Sequence, residues 1–176
     1  MLLERLKFEV INMDRTSLKA SIVIAFIGIV FISIVYFRPI SIERNYSGYM
    51  YAENGGVEKT IEIKLVGELK KKLSLNYIFT GSIEVDGIKQ SVIANRIWAK
   101  NNIFKTMGYS NFIETKDSKT GQYEVVGTVN ISNNFDEILI RLSEIDSKYN
   151  GKFNICGPSS TKEEAKAIMI NMGKSN

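Results

Sequence analysis

An uncharged apolar stretch dominates the amino-terminal part of the chain. Residues 20–37 read Ala-Ser-Ile-Val-Ile-Ala-Phe-Ile-Gly-Ile-Val-Phe-Ile-Ser-Ile-Val-Tyr-Phe, eighteen residues without one charged side chain. At about 1.5 Å per residue, a helix of this length reaches roughly 27 Å, close to the ~30 Å hydrocarbon thickness of a bilayer. Lys19 and Arg38 flank the stretch, where long basic side chains extend to lipid headgroups. The stretch therefore predicts a transmembrane helix over residues 20–37, with the lipid bilayer as its partner.

Basic residues are more frequent before this stretch than after it. Four precede it and two follow within a comparable distance: Arg5, Lys7, Arg15 and Lys19, then Arg38 and Arg44. Because the side richer in Lys and Arg stays in the cytoplasm, we expect a single-pass cell-membrane protein with a cytoplasmic amino terminus and an extracytoplasmic carboxyl-terminal domain. No small-residue cleavage site follows the stretch, so we predict an uncleaved signal anchor.

Three further regions complete the predicted organisation. In residues 1–19, apolar side chains recur at spacings near three and four between charged ones, which predicts a short cytoplasmic amphipathic segment on the membrane surface. Residues 38–47 are predicted to form a linker. The remaining residues, 48–176, are enough for one extracytoplasmic domain with a single core.

Charge and cysteine content narrow the class of protein. The chain carries 23 Lys and Arg and 19 Asp and Glu, a net charge of +4. Division after Arg38 leaves +2 on each part, so neither part has the strong basic excess of a nucleic-acid-binding protein. A single cysteine cannot form an internal disulfide, so packing alone must hold the domain together. The abundance of Ile, Lys and Asn is typical of an AT-rich bacterial genome.

After Pro39 the hydrophobic period changes from helical to alternating, which predicts strands. Ile61, Ile63 and Leu65 alternate with charged residues, and similar alternation recurs as far as Ile131. Asp86-Gly87 matches a two-residue type I′ turn, which would set Val85 opposite Ile88. We expect antiparallel order because the connections are too short for crossover helices.

Two helices are predicted after the strands. The first begins at Asn134, ends at Asn150-Gly151 and keeps one apolar stripe, formed by Phe135, Ile138, Leu139, Leu142, Ile145 and Tyr149. The second covers Lys162–Met172, and either Ser160 with Glu163 or Thr161 with Glu164 has capping-box spacing. The sequence thus predicts an α+β fold, with an N-terminal transmembrane helix followed by an antiparallel β-sheet domain and two C-terminal helices packed on it.

Residues that carry chemistry are scarce. Histidine is absent, which removes the commonest general base and transition-metal ligand and leaves Cys156 without an activating partner. Ser159 and Lys162 have the Ser-x-x-Lys spacing of penicillin-recognising serine enzymes, but the Lys-Thr-Gly triplet of residues 119–121 precedes them, the reverse of that family's order. Helix capping is the favoured role of residues 159–161. We expect no catalytic activity, no cofactor and no metal site.

Binding surfaces are predicted at two places. Lys70, Lys71 and Lys72 follow one another between two predicted strands, in a loop that would face anionic polymers or lipid headgroups. Tyr49 and Tyr51, on the first predicted strand, carry aromatic rings of the kind that pack on sugars. Solvation of the loop and packing of the rings would explain the same residues without a ligand.

No residue motif identifies a family. The sequence therefore predicts a bacterial cell-envelope protein that presents a small non-catalytic domain to bind a protein or an envelope component. Two alternatives stay open. One is a membrane-anchored enzyme of unrecognised mechanism. The other is a small subunit of a membrane assembly, in which Ser21, Ala25 and Gly28 would form a small-residue face for helix packing.

Overall fold

The chain divides into two compact units, Met1–Arg38 and Pro39–Asn176. The structure is a computed structural model that describes residues 15–52, 54–72, 76–99, 102–116 and 123–173. In the first unit, helix α1 covers Arg15–Tyr36, and its segment Ser17–Tyr36 is long and apolar enough to cross a membrane. The predicted apolar helix is therefore present and begins earlier than expected. Of the predicted amphipathic segment, residues 1–14 lie outside the described residues.

Two hydroxyl groups of α1 find acceptors within the helix itself. Ser21 donates to the carbonyl oxygen of Ser17 at 3.0 Å, and Ser33 donates to that of Ile29 at 2.8 Å. Because these bonds satisfy the hydroxyls one turn earlier in the same helix, neither serine needs a partner from outside it. The helix is thus compatible with an apolar surrounding along its length.

The second unit is a closed barrel of eight antiparallel strands. The strands are β1 (Ile40–Ala52), β2 (Glu58–Lys71), β3 (Tyr77–Val85), β4 (Ile88–Ala99), β5 (Asn102–Lys116), β6 (Tyr123–Ser132), β7 (Ile138–Leu142) and β8 (Phe153–Gly157). Each strand pairs with its neighbours in sequence, and β1 also pairs with β8. The predicted antiparallel order is confirmed. The α+β layout is also confirmed, but the sheet is not open, because pairing of the first and last strands closes it on itself.

Large apolar side chains fill the interior of the barrel. Because side chains alternate along a strand, every second residue points inward. Buried inward residues come from all eight strands and include Met50, Leu65, Phe79, Ile83, Val92, Ile113, Val129, Ile140 and Ile155. A barrel of eight strands is just wide enough for side chains to fill it or to hold one small ligand. Here the described inward positions supply the protein's own core.

The first predicted C-terminal helix is only partly correct. Residues 138–142 form strand β7, and helix α2 covers only Ser143–Tyr149, ending at Asn150 in a left-handed conformation (φ 51°). Ile138 and Ile140 are buried inside the barrel, while Leu139 is buried on its outer side. A strand buried on both faces loses the alternating pattern, so its apolar run resembles a helical stripe.

The predicted linker also differs from the structure. Residues 40–47 of the predicted linker 38–47 belong to β1, where Ile40 pairs with Leu69 and Tyr46 pairs with Ile63. Ser41, Glu43, Asn45 and Ser47 point outward, whereas Ile42 and Tyr46 contact the core and Arg44 occupies a position on the same side as these two. Because polar and apolar residues are mixed in this segment, its sequence did not indicate a strand with one exposed face.

The second predicted C-terminal helix is confirmed as α3, Lys162–Gly173. The hydroxyl of Thr161 accepts a hydrogen bond from the backbone N–H of Glu164 at 3.3 Å, and the Glu164 carboxylate accepts one from the N–H of Ser160 at 2.7 Å. This helix packs on the outer face of the barrel through a small apolar cluster formed by Tyr51, Leu139, Cys156, Ala165 and Ile168.

Local geometry agrees with the sequence at the β3–β4 turn and is tight in the wall beside it. Asp86 and Gly87 have φ of 52° and 80°, and Val85 pairs with Ile88, as predicted. In the β2–β3 wall, Gly67 pairs with Gly81, and the ring of Phe79 lies against both. A Cβ atom on Gly81 would lie 2.7 Å from the Cα of Gly67 and 2.9 Å from the Phe79 ring.

Replacing Gly81 by alanine should therefore destabilise the barrel. We expect Gly81→Ala to lower the free energy of unfolding by about 1–3 kcal/mol, because a methyl group forced into a packed wall displaces its neighbours. Urea unfolding of the full chain in detergent micelles, followed by tyrosine near-UV circular dichroism, measures this. Ser91→Ala, an exposed position on β4, is the control and should unfold at nearly the wild-type midpoint. An unchanged midpoint for Gly81→Ala would contradict the tight wall.

Candidate functional site

The predicted binding residues lie in two separate parts of the barrel. Tyr49 pairs with Thr60 in the β1–β2 register, and Thr60 precedes Lys70 by ten residues along β2. At about 3.3 Å per strand residue, roughly 33 Å separates the tyrosines from the lysines. The structure therefore does not bring the predicted residues together in one site.

The two tyrosines lie on the outer face of β1, beside helix α3. Tyr51 is only 1% exposed, and its hydroxyl donates to the sulfur of Met169 at 3.2 Å. Tyr49 is half-buried, and its hydroxyl donates to the carboxylate of Glu58 at 3.3 Å. Contacts with α3 and with β2 thus account for both rings, and only Tyr49 keeps accessible surface.

The three lysines do not form one loop. Lys70 and Lys71 are the last residues of β2, and the backbone N–H of Lys72 donates to the carbonyl oxygen of Asn76 at 2.7 Å. Lys70 points outward, where its ammonium group pairs with Glu68 at 3.0 Å. Lys71 occupies the opposite face, and its ammonium group lies 5.5 Å from the centroid of the Tyr77 ring. Strand alternation therefore separates Lys71 from its neighbours.

Lys71 begins a row of four side chains that crosses strands β2 to β5. Lys71 pairs with Tyr77, the guanidinium carbon of Arg96 lies 4.5 Å from the Tyr77 ring centroid, and Arg96 pairs with Tyr109. We refer to Lys71, Tyr77, Arg96 and Tyr109 as the basic row. It alternates cation and aromatic ring, and both cations lie against the Tyr77 ring.

Tyr109 is the most deeply buried residue of the basic row. Lys71, Tyr77 and Arg96 are half-buried, and Tyr109 is only 2% exposed. Burial raises the pKa of Tyr109, while the positive charge of Arg96 acts in the opposite direction. The Nε atom of Arg96 is itself buried. The row thus runs from the rim of the barrel into its core.

The barrel is plugged beyond the inner end of the row. The ring centroid of Tyr109 lies 5.1 Å from that of Phe135, which sits in the β6–β7 connection with φ of 60°. The hydroxyl of Tyr46 donates to the Phe135 carbonyl oxygen at 2.8 Å, and burial raises the pKa of Tyr46 to about 12. Arg44 and Asp136 act on Tyr46 with opposite signs. These contacts close the core below the rim.

Sequence reasoning missed three residues of the basic row. Arg96 follows Val92 and Ala94 at every second position, and both of these residues are buried inside the barrel. A charged side chain that continues an inward-facing series is a detectable signal. No sequence pattern indicates that Lys71, Tyr77 and Arg96 lie side by side, because that depends on the register of three strands.

A second concave surface lies on the outer side of β1, β2 and β3. This groove has a volume of about 890 Å³ and is lined mostly by polar side chains, including Asn45, Ser47, Thr60, Glu62, Lys64 and Glu84. Within the described ranges, no group of three or more His, Cys, Asp or Glu side chains is arranged to hold a metal ion. The groove therefore offers hydrogen-bonding groups and charges of both signs.

A polar cluster ties the β3–β4 turn to β2 and α2. The Asp86 carboxylate accepts hydrogen bonds from Lys148 at 2.7 Å, from the hydroxyl of Tyr149 at 2.7 Å and from Lys59 at 2.9 Å. These three donors, with Lys148 first, hold the pKa of Asp86 well below its usual range. Each of the four side chains in this cluster thus has a hydrogen-bond partner, and the cluster stabilises the fold.

The free energy of unfolding should therefore decrease as the pH falls and Asp86 becomes protonated. A carboxyl with a lowered folded-state pKa stabilises the fold above its unfolded pKa, and this stability is lost as pH falls below about 4. Asp86→Asn keeps a residue suited to the left-handed turn but removes the charge. We expect Asp86→Asn to be less stable at neutral pH and to lose less stability on acidification, measured by urea unfolding at a series of pH values. Parallel pH profiles for the two proteins would contradict this role.

The nucleophilic side chains considered from the sequence are engaged elsewhere. Cys156 is fully buried, and burial raises its pKa to about 12. The Ser159 hydroxyl donates to the Cys156 carbonyl oxygen at 2.8 Å, whereas the Lys162 ammonium group pairs with Glu58. Ser159 and Lys162 thus have different partners, which supports structural roles for both.

The Cys156 thiol should be inert in the folded protein. Since the thiolate is the reactive form, a buried thiol with a raised pKa reacts slowly with iodoacetamide at about pH 8. We expect complete alkylation only after denaturation, as measured by intact-mass spectrometry of the full chain. Rapid alkylation of the folded chain would show that the thiol is exposed.

Comparisons with protein families, with curated proteins and with solved structures found no match to this chain. The fold and the contacts of its own residues are therefore the basis for assigning a function.

Proposed function

We propose that this protein is a single-pass, membrane-anchored protein of the bacterial cell envelope, whose barrel binds a protein or an envelope component and catalyses no reaction. The observation that carries the proposal is a helix of membrane-spanning length followed in the chain by a barrel filled with its own side chains. A filled barrel binds through its rim and outer surface rather than through a lumen.

Two observations support binding rather than catalysis. Cys156 and Ser159, the nucleophilic side chains singled out in the sequence, are buried and bonded within the fold. The outer wall also carries exposed apolar side chains on three neighbouring strands: Ile93, Phe112 and Val125 are each more than half exposed. Exposed apolar side chains on adjacent strands are typical of surfaces that contact other molecules.

The charge distribution around the span supports the proposed orientation. Four basic residues precede the apolar stretch and two follow it, which favours a cytoplasmic amino terminus. In this orientation the barrel lies outside the cytoplasm, where envelope polymers, lipids and other envelope proteins are its available partners.

Protease protection tests this orientation directly. The full chain, tagged at each end and produced in a bacterial host, would be treated with protease in spheroplasts. We expect loss of the carboxyl-terminal tag and protection of the amino-terminal tag, because only the barrel side is exposed. Lysed spheroplasts, in which both tags should be lost, are the control.

A charge variant makes the test sharper. Replacing Arg5 and Lys7 by glutamine removes half of the basic residues before the span, so we expect a fraction of the chains to insert in the opposite orientation. Protection of the carboxyl-terminal tag in the wild-type chain would place the barrel in the cytoplasm and overturn the envelope proposal.

A further inference from the structure

We propose that the basic row at the rim of the barrel binds a phosphate group, with Arg96 and Lys71 as the contacting cations. This inference deepens the proposed function and rests on it, because it names the ligand chemistry through which the barrel would bind an envelope component. Phosphate groups occur on lipids, on polymers and as the free ion, and the shared chemistry is what the row would recognise.

The sign of the charges at the rim is the first argument. At the end where β2 stops, the inward-facing strand positions whose side chains the structure describes carry three charged residues, Arg44, Lys71 and Arg96. All three are basic. The acidic Glu68 lies on the outer face in an ion pair with Lys70, and Asp136 belongs to the β6–β7 connection at this same end, where its side chain is exposed. Basic side chains therefore predominate at the described inward-facing strand positions of this rim.

The distance between the two cations of the basic row is the second argument. The Lys71 ammonium and the Arg96 guanidinium lie 5.5 and 4.5 Å from the same Tyr77 ring centroid, so at most about 10 Å separates them. Charge-assisted hydrogen bonds to phosphate oxygens are about 2.7–2.9 Å long, and the lysine side chain is flexible. A phosphate group bound at Arg96 is therefore within range of the Lys71 ammonium group once the lysine side chain turns toward it.

The environment of the cations is the third argument. Arg96 is half-buried against Tyr77, so water screens its charge less than it screens an exposed lysine. A guanidinium also presents two parallel N–H donors that match two oxygens of one phosphate. Ring packing against Tyr77 restricts the orientation of this group before a ligand arrives. The row thus combines a fixed two-donor group with a mobile point charge.

Arginine side-chain resonances provide a direct test in the full chain. The chain contains six arginines, so ¹⁵N-arginine labelling gives few Nε–H signals, and Arg96→Lys identifies the one that belongs to Arg96. The labelled chain would be placed in phosphatidylcholine nanodiscs and titrated with inorganic phosphate. In parallel, it would be placed in nanodiscs that also contain phosphatidic acid. We expect a saturable shift of the Arg96 signal in at least one arm.

The two arms distinguish the source of the phosphate. A shift with inorganic phosphate in phosphatidylcholine alone indicates a site open to soluble phosphate groups. A shift only with phosphatidic acid indicates a lipid headgroup. An unmoved Arg96 signal in both arms would overturn the inference.

Neighbouring lysines supply a matched pair of variants. Lys71→Gln and Lys70→Gln change the net charge equally and differ by one position, but only Lys71 faces the inner side of the rim. We expect Lys71→Gln to weaken binding at the Arg96 signal about tenfold, as loss of one charge-assisted contact implies, and Lys70→Gln to weaken it much less. Equal weakening by the two variants would mean that net charge alone accounts for the effect. That result would contradict phosphate binding by the basic row.

The two experiments separate failure of the phosphate-binding inference from failure of the proposed function. Protease protection reports which side of the membrane carries the barrel, whereas the Arg96 signal reports ligand contact in a purified chain. Far-UV circular dichroism of each variant confirms that it is folded before its binding is compared. A correct orientation with an unmoved Arg96 signal would leave an anchored barrel that recognises its partner by another surface.

Discussion

Four consecutive residues of β1, from Tyr49 to Ala52, pair with residues of β8, and this backbone pairing closes the barrel. An open sheet of the same strands would leave two edges with unpaired N–H and C=O groups. Closure removes both edges and creates an interior that every strand must help to fill. It also brings β7 and β8 beside β1, where α3 covers Tyr51, Leu139 and Cys156. The positions of the late elements therefore depend on this one contact.

Closure also sorts the charged residues by face. Once the inward positions are fixed, apolar side chains occupy the middle of the barrel, and charged ones are confined to its ends. At one end, Asp86 bonds to Lys59, Lys148 and Tyr149, so two ammonium groups share one carboxylate. At the other end, Lys71 and Arg96 flank a single aromatic ring. The two ends thus differ chemically, with a carboxylate-centred cluster at one and a row of cations and tyrosine rings at the other.

Several sequence predictions depended on local chemistry and were confirmed by the structure. The Asp86-Gly87 turn, the stop at Asn150 and the start of α3 each follow from backbone preferences of a few consecutive residues. The predictions that failed involved burial that is not local. Leu139 is apolar because α3 covers the outside of β7, and no neighbour in sequence indicates that cover. The linker prediction for residues 40–47 failed for the opposite reason. Polar residues on the exposed face of β1 made its alternating pattern hard to recognise.

The sequence by itself determined the apolar helix, the antiparallel strands that follow it and the scarcity of catalytic side chains, because these properties depend on composition and short-range periodicity. Only the tertiary structure decided that the sheet closes and that Lys71, rather than Lys70, joins Tyr77 and Arg96. Register is the physical reason. A shift of one residue in pairing would turn every side chain of a strand to the opposite face, and pairing between strands far apart in sequence is set by the packed core as a whole.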